Sequence, residues 1–152
     1  MATINATLSV SSGDLSSSGL SLSKTMTMTK AGTATGLEFS SGLIRRKLTS
    51  TTEIDLVTTG AQMYGTPTAT TNANKIYIKN TGSSSTDYIS IGLGDATTAE
   101  ELNDGTSKIT LGKLYGGEWM IIPYHGATDV GDVLVAPSTA EATTIEWMIF
   151  FE

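Results

Sequence analysis

The fold of this chain is indicated most clearly by the stretch Lys75-Ile76-Tyr77-Ile78-Lys79-Asn80, in which apolar and polar side chains alternate. An alternation with period two places Ile76 and Ile78 on one face of an extended strand. The stretch runs into the turn-like residues Asn80–Ser83, and a second strand pattern follows at Tyr88–Leu93. We interpret the two runs, joined by a short polar loop, as a β-hairpin.

The rest of the chain repeats this pattern of short strands between turns. Further strand-like runs are Lys108–Leu114, Trp119–Ile122, Val133–Ala136 and Thr144–Glu152. The chain has 16 Gly and 3 Pro to form turns, and no stretch carries apolar residues at the 3.6 spacing of a helix. The sequence therefore predicts an all-β fold, an antiparallel β-sandwich or jelly roll with an extended N-terminal segment.

Two segments of different composition make up the predicted domain. Residues 1–50 are rich in Ser and Thr, whereas residues 51–152 carry the stronger strand signals and form the predicted sandwich core. Within the first segment, Leu20–Ser23 and Met26–Thr29 alternate as a strand with one wet face does. Two hypotheses follow for residues 1–50: edge strands of a sheet, or an arm that becomes ordered on a neighbouring subunit.

Composition narrows the classes of function. Of 152 residues, 26 are Thr and 17 are Ser, and only 16% are charged. The net charge of −6 argues against a nucleic-acid partner, because phosphate contacts need clustered Lys and Arg. The absence of Cys excludes disulfides and thiolate metal sites. No apolar run reaches the ~20 residues that cross a bilayer, and we expect neither a membrane partner nor a signal peptide.

The candidates for catalysis and metal binding are weak. The single histidine, His125, follows Pro123-Tyr124 and precedes Gly126, which is typical of a turn. A triad would require a nucleophile and an orienting carboxylate around it, and no Gly-x-Ser-x-Gly motif is present. The loose carboxylate groups Glu100-Glu101-Asp104 and Asp129/Asp132 lack the ordered calcium-loop spacing. We therefore predict no enzyme activity, no catalytic residue, no metal site and no cofactor.

The candidate interaction residues are a basic run and large apolar side chains. If Arg45, Arg46 and Lys47 lie on a strand, Arg45 and Lys47 share one face. Such a run either protects an edge strand by its charge or meets acidic surface on a partner subunit. Trp119 belongs to a run that is apolar on both faces, as expected in a sandwich core or a subunit contact. Trp147, Phe150 and Phe151 belong to the most apolar run, which must be tied into the core or into a partner.

Two further features of the aromatic residues bear on function. Glu118-Trp119-Met120-Ile121 recurs as Glu146-Trp147-Met148-Ile149, which we interpret as two strands in similar environments, as neighbours in one sheet. Carbohydrate-binding modules use exposed aromatic rings as platforms. The tyrosines considered for that role are Tyr64, Tyr77, Tyr88, Tyr115 and Tyr124.

Taken in order along the chain, several of these runs resemble a known class of proteins. The residues that carry the resemblance are Lys75–Thr81, Tyr88–Gly92, Leu111–Glu118, Val133–Val135 and Ile145–Met148, together with the Ser/Thr-rich N-terminal third that includes Leu20–Thr29. The order and style of these runs are similar to those of small virion structural proteins of tailed bacteriophages, notably cyanophages.

The resemblance implies a β-sandwich that forms a homo-oligomer, often a trimer. It implies a protein on the capsid surface of the virion that decorates or cements the head by binding across neighbouring subunits of the major capsid protein. Related β-folds also serve in necks, tails and fibres, and a module that binds host glycans is a further alternative. The resemblance carries no catalytic residues.

Overall fold

A computed structural model describes residues 3–13, 20–29, 39–57, 75–94, 109–123, 132–139 and 143–151, which form strands and connections and no helix. The strands are β1 (Thr3–Ser12), β2 (Leu20–Thr29), β3 (Phe39–Ser40), β4 (Ile44–Leu48), β5 (Ile54–Val57), β6 (Lys75–Asn80), β7 (Tyr88–Gly94), β8 (Ile109–Tyr115), β9 (Trp119–Pro123), β10 (Asp132–Pro137) and β11 (Thr143–Phe151). Every strand pairing is antiparallel. The predicted all-β antiparallel class is thereby confirmed.

The pairing from β4 to β11 is nested. Strand β7 pairs with β8, β6 with β9, β5 with β10 and β4 with β11. Two more pairings, β10 with β7 and β11 with β6, join these ribbons into sheets. The front sheet has the order β4-β11-β6-β9, with the short β3 also beside β11, and the back sheet has the order β5-β10-β7-β8. A long ribbon rolled into two sheets in this way is a jelly roll.

The core lies between the two sheets and is built by the alternation of each strand. Ile76 and Ile78 of β6 point inward from the front sheet, and Ile89 and Ile91 of β7 point inward from the back sheet. The same cluster contains Leu48, Leu56, Leu114, Val133, Val135, Ile145, Trp147 and Ile149. Because successive side chains of a strand face opposite ways, this core requires the period-two pattern seen in the sequence.

The predicted hairpin between β6 and β7 is wrong. Strand β6 lies in the front sheet and β7 in the back sheet, and they face each other across the core. The two arrangements place the same apolar side chains inward, so alternation alone does not distinguish strands that pair from strands that stack. Strand β7 pairs instead with β8 and β10, and the connection 81–87 crosses between the sheets.

The crossing between the sheets is fixed at one corner by Asn80. Its backbone N–H donates to the Glu118 carbonyl (3.0 Å), and its carbonyl accepts from the Gly117 N–H (2.9 Å). Its buried side chain donates to the Leu114 carbonyl (3.0 Å) and accepts from the Gly82 N–H (2.9 Å). The side chain of Asn80 therefore ties the end of β6 to the outgoing loop and to the end of β8, and its backbone carbonyl ties it to the β8–β9 turn.

Strands β1 and β2 form a separate hairpin that lies on the outer face of the front sheet. Ile4, Ala6, Met26 and Met28 pack against Tyr77, Met148 and Phe150 of that face. An isolated two-stranded hairpin is only marginally stable in water. Packing on the front sheet gives this hairpin the apolar burial that it lacks by itself. Within residues 1–50, β1 and β2 thus form a third layer, while β3 and β4 pair with β11 of the sandwich.

Candidate functional site

The basic run lies on β4, at an edge of the front sheet. Arg45 and Lys47 share the outer face, opposite Glu146 and Thr144 of β11, whereas Arg46 lies opposite Ile145. All three side chains are exposed, and charges along a sheet edge discourage a further strand from pairing there. This placement agrees with the interpretation that the run protects an edge strand by its charge. The exposed side chains of Arg46 and Lys47 are also accessible to a partner.

A buried carboxylate, Glu146, is the partner of Arg45. Nε and Nη2 of Arg45 lie 2.9 Å from Oε2 of Glu146, and the Tyr77 hydroxyl donates to Oε1 at 3.0 Å. Burial by itself would raise the pKa of Glu146, but the hydrogen bonds from Tyr77 and Arg45 and the charges of Arg45 and Lys79 hold it below its usual range. Glu146 is therefore an ionised residue whose two oxygens are already occupied, a structural group and not a free base.

The pKa of Tyr77 is shifted upward, in the direction opposite to that of Glu146. Burial, the hydrogen bond to Glu146 and the negative charge of Glu146 raise its pKa from 10.0 to about 12, and Arg45 opposes the rise. Burial disfavours the charged tyrosinate, and beside the Glu146 carboxylate a tyrosinate is less stable than a neutral phenol that donates to it. The network of Arg45, Glu146 and Tyr77 links β4, β11 and β6 across the outer face.

We expect one phenol of the folded protein to titrate near pH 12. Since the folded pKa of Tyr77 exceeds its unfolded value of 10.0, its stabilising contribution is complete below pH 10 and is lost as the pH rises through about 12. An ultraviolet titration of tyrosinate absorbance follows this group directly, and Tyr77→Phe should remove the late component.

Glu146→Gln tests the cause of the raised Tyr77 pKa, and Glu118→Gln is its matched control. Glu146→Gln removes the neighbouring charge and should move the Tyr77 pKa back towards 10. Glu118→Gln changes a carboxylate that instead accepts from the Tyr115 N–H at 2.8 Å, and should leave the late phenol in place. If the phenol lost in Tyr77→Phe titrates with an ordinary pKa, the described network does not exist in solution.

A cleft of about 910 Å³ separates the β1–β2 hairpin from β9. Residues 6–9 and 24–26 line it on the hairpin side, and residues 117–121 line it on the opposite side. Trp119 at this cleft is 44% exposed, and its ring centroid lies 6.3 Å from that of Tyr77. An apolar cleft with a few polar groups is the usual form of a binding site.

The remaining apolar candidates lie elsewhere in the chain. Trp147 points into the core between the sheets, and Phe150 is buried beneath the hairpin next to Met28. Phe151 pairs with Phe39 at the end of β11. The structure therefore does not bring Trp119 together with Trp147 and Phe150 on one surface, and the latter two contribute to this chain's own packing.

The repeated Glu-Trp-Met-Ile motif occupies one sheet but two different environments. Strands β9 and β11 both pair with β6, one on each side, so they are not direct neighbours. Trp119 opposes Lys79 and is exposed, whereas Trp147 opposes Ile78 and is buried. The predicted similarity of environment is wrong, because the two copies meet β6 in registers that differ by one residue and so point opposite ways.

Other predicted sites are only partly within the described residues. Lys113 Nζ lies 4.0 Å from the Tyr88 ring centroid, and the Tyr88 and Tyr115 rings meet edge to face at 5.5 Å.

Several predicted site residues lie outside the described residues, namely Tyr64, Tyr124, His125, the group Glu100-Glu101-Asp104 and Asp129. Within the parts of the chain that the structure describes, no three His, Asp or Glu side chains are grouped as metal ligands. Those same parts hold no helix long and apolar enough to cross a membrane.

Sequence reasoning missed the exposed apolar face at the far end of the hairpin. Leu8, Val10 and Leu22 are each at least 38% exposed. They continue the apolar stripe of Ile4 and Ala6, which is covered by the front sheet. The alternation of residues 4–10 predicts that these side chains share one strand face. It does not predict at which residue the front sheet stops covering that face.

Comparison of the chain with protein-family models, with curated proteins and with solved structures finds no match.

Proposed function

We propose that this protein is a structural component of a bacteriophage virion, of the capsid decoration or cement type. It acts without catalysis, on the capsid surface, by binding across neighbouring subunits of the major capsid protein. The proposal joins the sequence resemblance to small phage virion proteins with a jelly roll, an architecture that capsid and lectin domains use.

The observation that supports it best is the uncovered half of the β1–β2 hairpin. One end of the hairpin packs over Tyr77, Met148 and Phe150, and residues 6–9 then pass the cleft beside β9. Beyond that point Val10 and Leu22 lie opposite each other in the ladder with exposed side chains. A paired hairpin whose exposed end carries Leu8, Val10 and Leu22 beside Lys24 suits contact with a neighbouring subunit, because part of its ordering cost is already met by the covered half.

Binding to capsids is the direct test. The purified protein is expected to sediment with heads of its phage that lack it. The double variant Leu8→Ser/Leu22→Ser should bind roughly tenfold more weakly, because it removes apolar area that the contact would bury. Ile109→Ser, at a 66% exposed position on β8, is the matched control and should bind like the unchanged protein.

The same experiment separates the second candidate, a neck, tail or fibre component that binds host glycans. The exposed Trp119 ring beside the cleft favours it, since sugars stack on such rings. Sedimentation with purified tails and not with heads would favour this candidate. Failure to bind either, or equal binding by the double variant, would contradict the proposed function.

A further inference from the structure

Strand β9 is an edge of the front sheet that carries no charge. Its residues Trp119–Pro123 read Trp-Met-Ile-Ile-Pro. The other edge strands of the two sandwich sheets that have four or more residues contain charged side chains, which are Arg45, Arg46 and Lys47 on β4, Asp55 on β5 and Lys113 on β8. Charges are a common means of keeping sheet edges from pairing with other chains. Among the described edges of the two sandwich sheets, β9 is the one of this length where this protection is missing.

The backbone of β9 presents hydrogen-bonding groups on its outer side that no described strand pairs with. Asn80 N–H bonds the Glu118 carbonyl at the start of the β6–β9 ladder. Because bonded and non-bonded pairs alternate along an antiparallel ladder, the N–H and C=O groups of Trp119 and Ile121 point away from β6. None of the described strands pairs with that side. Pro123 occupies the next outward position, where its missing N–H leaves the ladder to β6 intact.

We propose that β9 pairs with β9 of a second copy of this chain, antiparallel and about a two-fold axis at Ile121. The two Ile121 residues would exchange hydrogen bonds in both directions. Each Trp119 N–H would donate to the Pro123 carbonyl of the other copy, so Pro123 limits the register and does not prevent pairing. No like charges meet along the strand, and the two front sheets become one continuous sheet.

Among the described residues, no strand lies on the outer side of β9. The cleft of about 910 Å³ separates the described part of the β1–β2 hairpin from β9, and the hairpin does not pair with this edge. Trp119 is half-exposed on the face next to the seam and would be covered on pairing. Strand addition at an open edge combines backbone hydrogen bonds with contacts of the alternate side chains, and both are available here.

The test is the oligomeric state of the full chain, measured by light scattering over a range of concentrations. We expect a dimer, or a larger oligomer with an even number of copies. Ile121→Lys places two like charges face to face at the axis and should weaken association by at least about tenfold. Leu111→Lys, at an exposed position on the edge strand β8, is the control and should associate like the unchanged protein.

A second measurement distinguishes loss of the β9 contact from misfolding of the Ile121→Lys variant. The chain has no cysteine, so Ile121→Cys introduces a single thiol. A short thiol cross-linker should then give covalent dimers, whereas Leu111→Cys should not. A monomer at every concentration, or a trimer that Ile121→Lys leaves intact and Ile121→Cys does not link, overturns the edge pairing. Either result leaves the proposed function standing if the protein still binds capsids.

Discussion

Gly116→Ala is expected to lower the free energy of unfolding by about 2–3 kcal/mol, as overpacking does where the neighbours are rigid. A Cβ at Gly116 would lie 2.6 Å from the Ser84 carbonyl oxygen, 2.7 Å from the Ser84 nitrogen and 2.8 Å from the Gly82 carbonyl oxygen. All three are backbone atoms, so no side-chain rotation relieves the overlap. The connection from β6 to β7 must move, and the hydrogen bond from Gly116 N–H to Ser84 (3.0 Å) is lost with it.

Gly112→Ala is the matched control, because an added Cβ there meets nothing within 4 Å. Its unfolding free energy should stay within about 0.5 kcal/mol of the unchanged protein, as at most permissive positions. Urea unfolding monitored by tryptophan fluorescence measures both variants. Equal stabilities for Gly116→Ala and Gly112→Ala would show that the β8–β9 turn does not sit against the 82–84 backbone.

Asn80→Ala is the second substitution with a large expected effect, a loss of about 3 kcal/mol. The Asn80 side chain is only 1% exposed and serves two backbone groups, the Gly82 N–H and the Leu114 carbonyl. Alanine reaches neither group. Because an unpaired buried polar group has lost its water without gaining a partner, the cost exceeds that of an ordinary exposed hydrogen bond.

The control for this substitution is Asn5→Ala in the hairpin. Asn5 Oδ1 accepts from the Thr27 hydroxyl at 2.9 Å, but both side chains are exposed and water can replace either partner. We expect a change within about 0.5 kcal/mol. Thermal unfolding by circular dichroism compares the two variants. If Asn80→Ala unfolds no earlier than Asn5→Ala, the side chain of Asn80 does not hold the corner.

Both large effects fall on the corner where the chain passes between the two sheets. Asn80 ends β6, Gly82 and Ser84 belong to the connection towards β7, and Gly116 belongs to the turn between β8 and β9. A jelly roll requires its ribbon to cross between sheets while its backbone groups stay bonded. Here one buried amide and one glycine provide that crossing.

The elements of the core were predictable from sequence because their alternation is a local property. The strands around Ile76, Ile89, Leu114 and Ile145 all appear where the period-two pattern places them. The turn at Gly116–Gly117 separates the two predicted runs Lys108–Leu114 and Trp119–Ile122, and Gly117 has the positive φ of 86° that glycine tolerates. A residue's face follows from its parity along a strand, so the buried set of each regular strand could be read directly.

The candidate site was less predictable because it depends on contacts between distant strands. Arg45 and its neighbours were identified from charge alone, but their buried partner Glu146 lies far along the chain, and nothing local marks it as paired with Tyr77. Leu8, Val10 and Leu22 lie on the same hairpin face as the covered residues Ile4 and Met28 and cannot be told from them by alternation. Only the extent of the front sheet determines which of these side chains remain exposed.

By itself, the sequence determined that this chain forms short antiparallel strands and which side chains share a strand face, since both follow from alternation between near neighbours. Only the tertiary structure decided which strands pair and which stack, as β6 and β7 show. It also decided that Trp119 faces outward and Trp147 inward, although both stand in the same four-residue motif. The physical reason is that each motif is apolar on both faces, so its orientation is set by its register with β6 and not by its own residues.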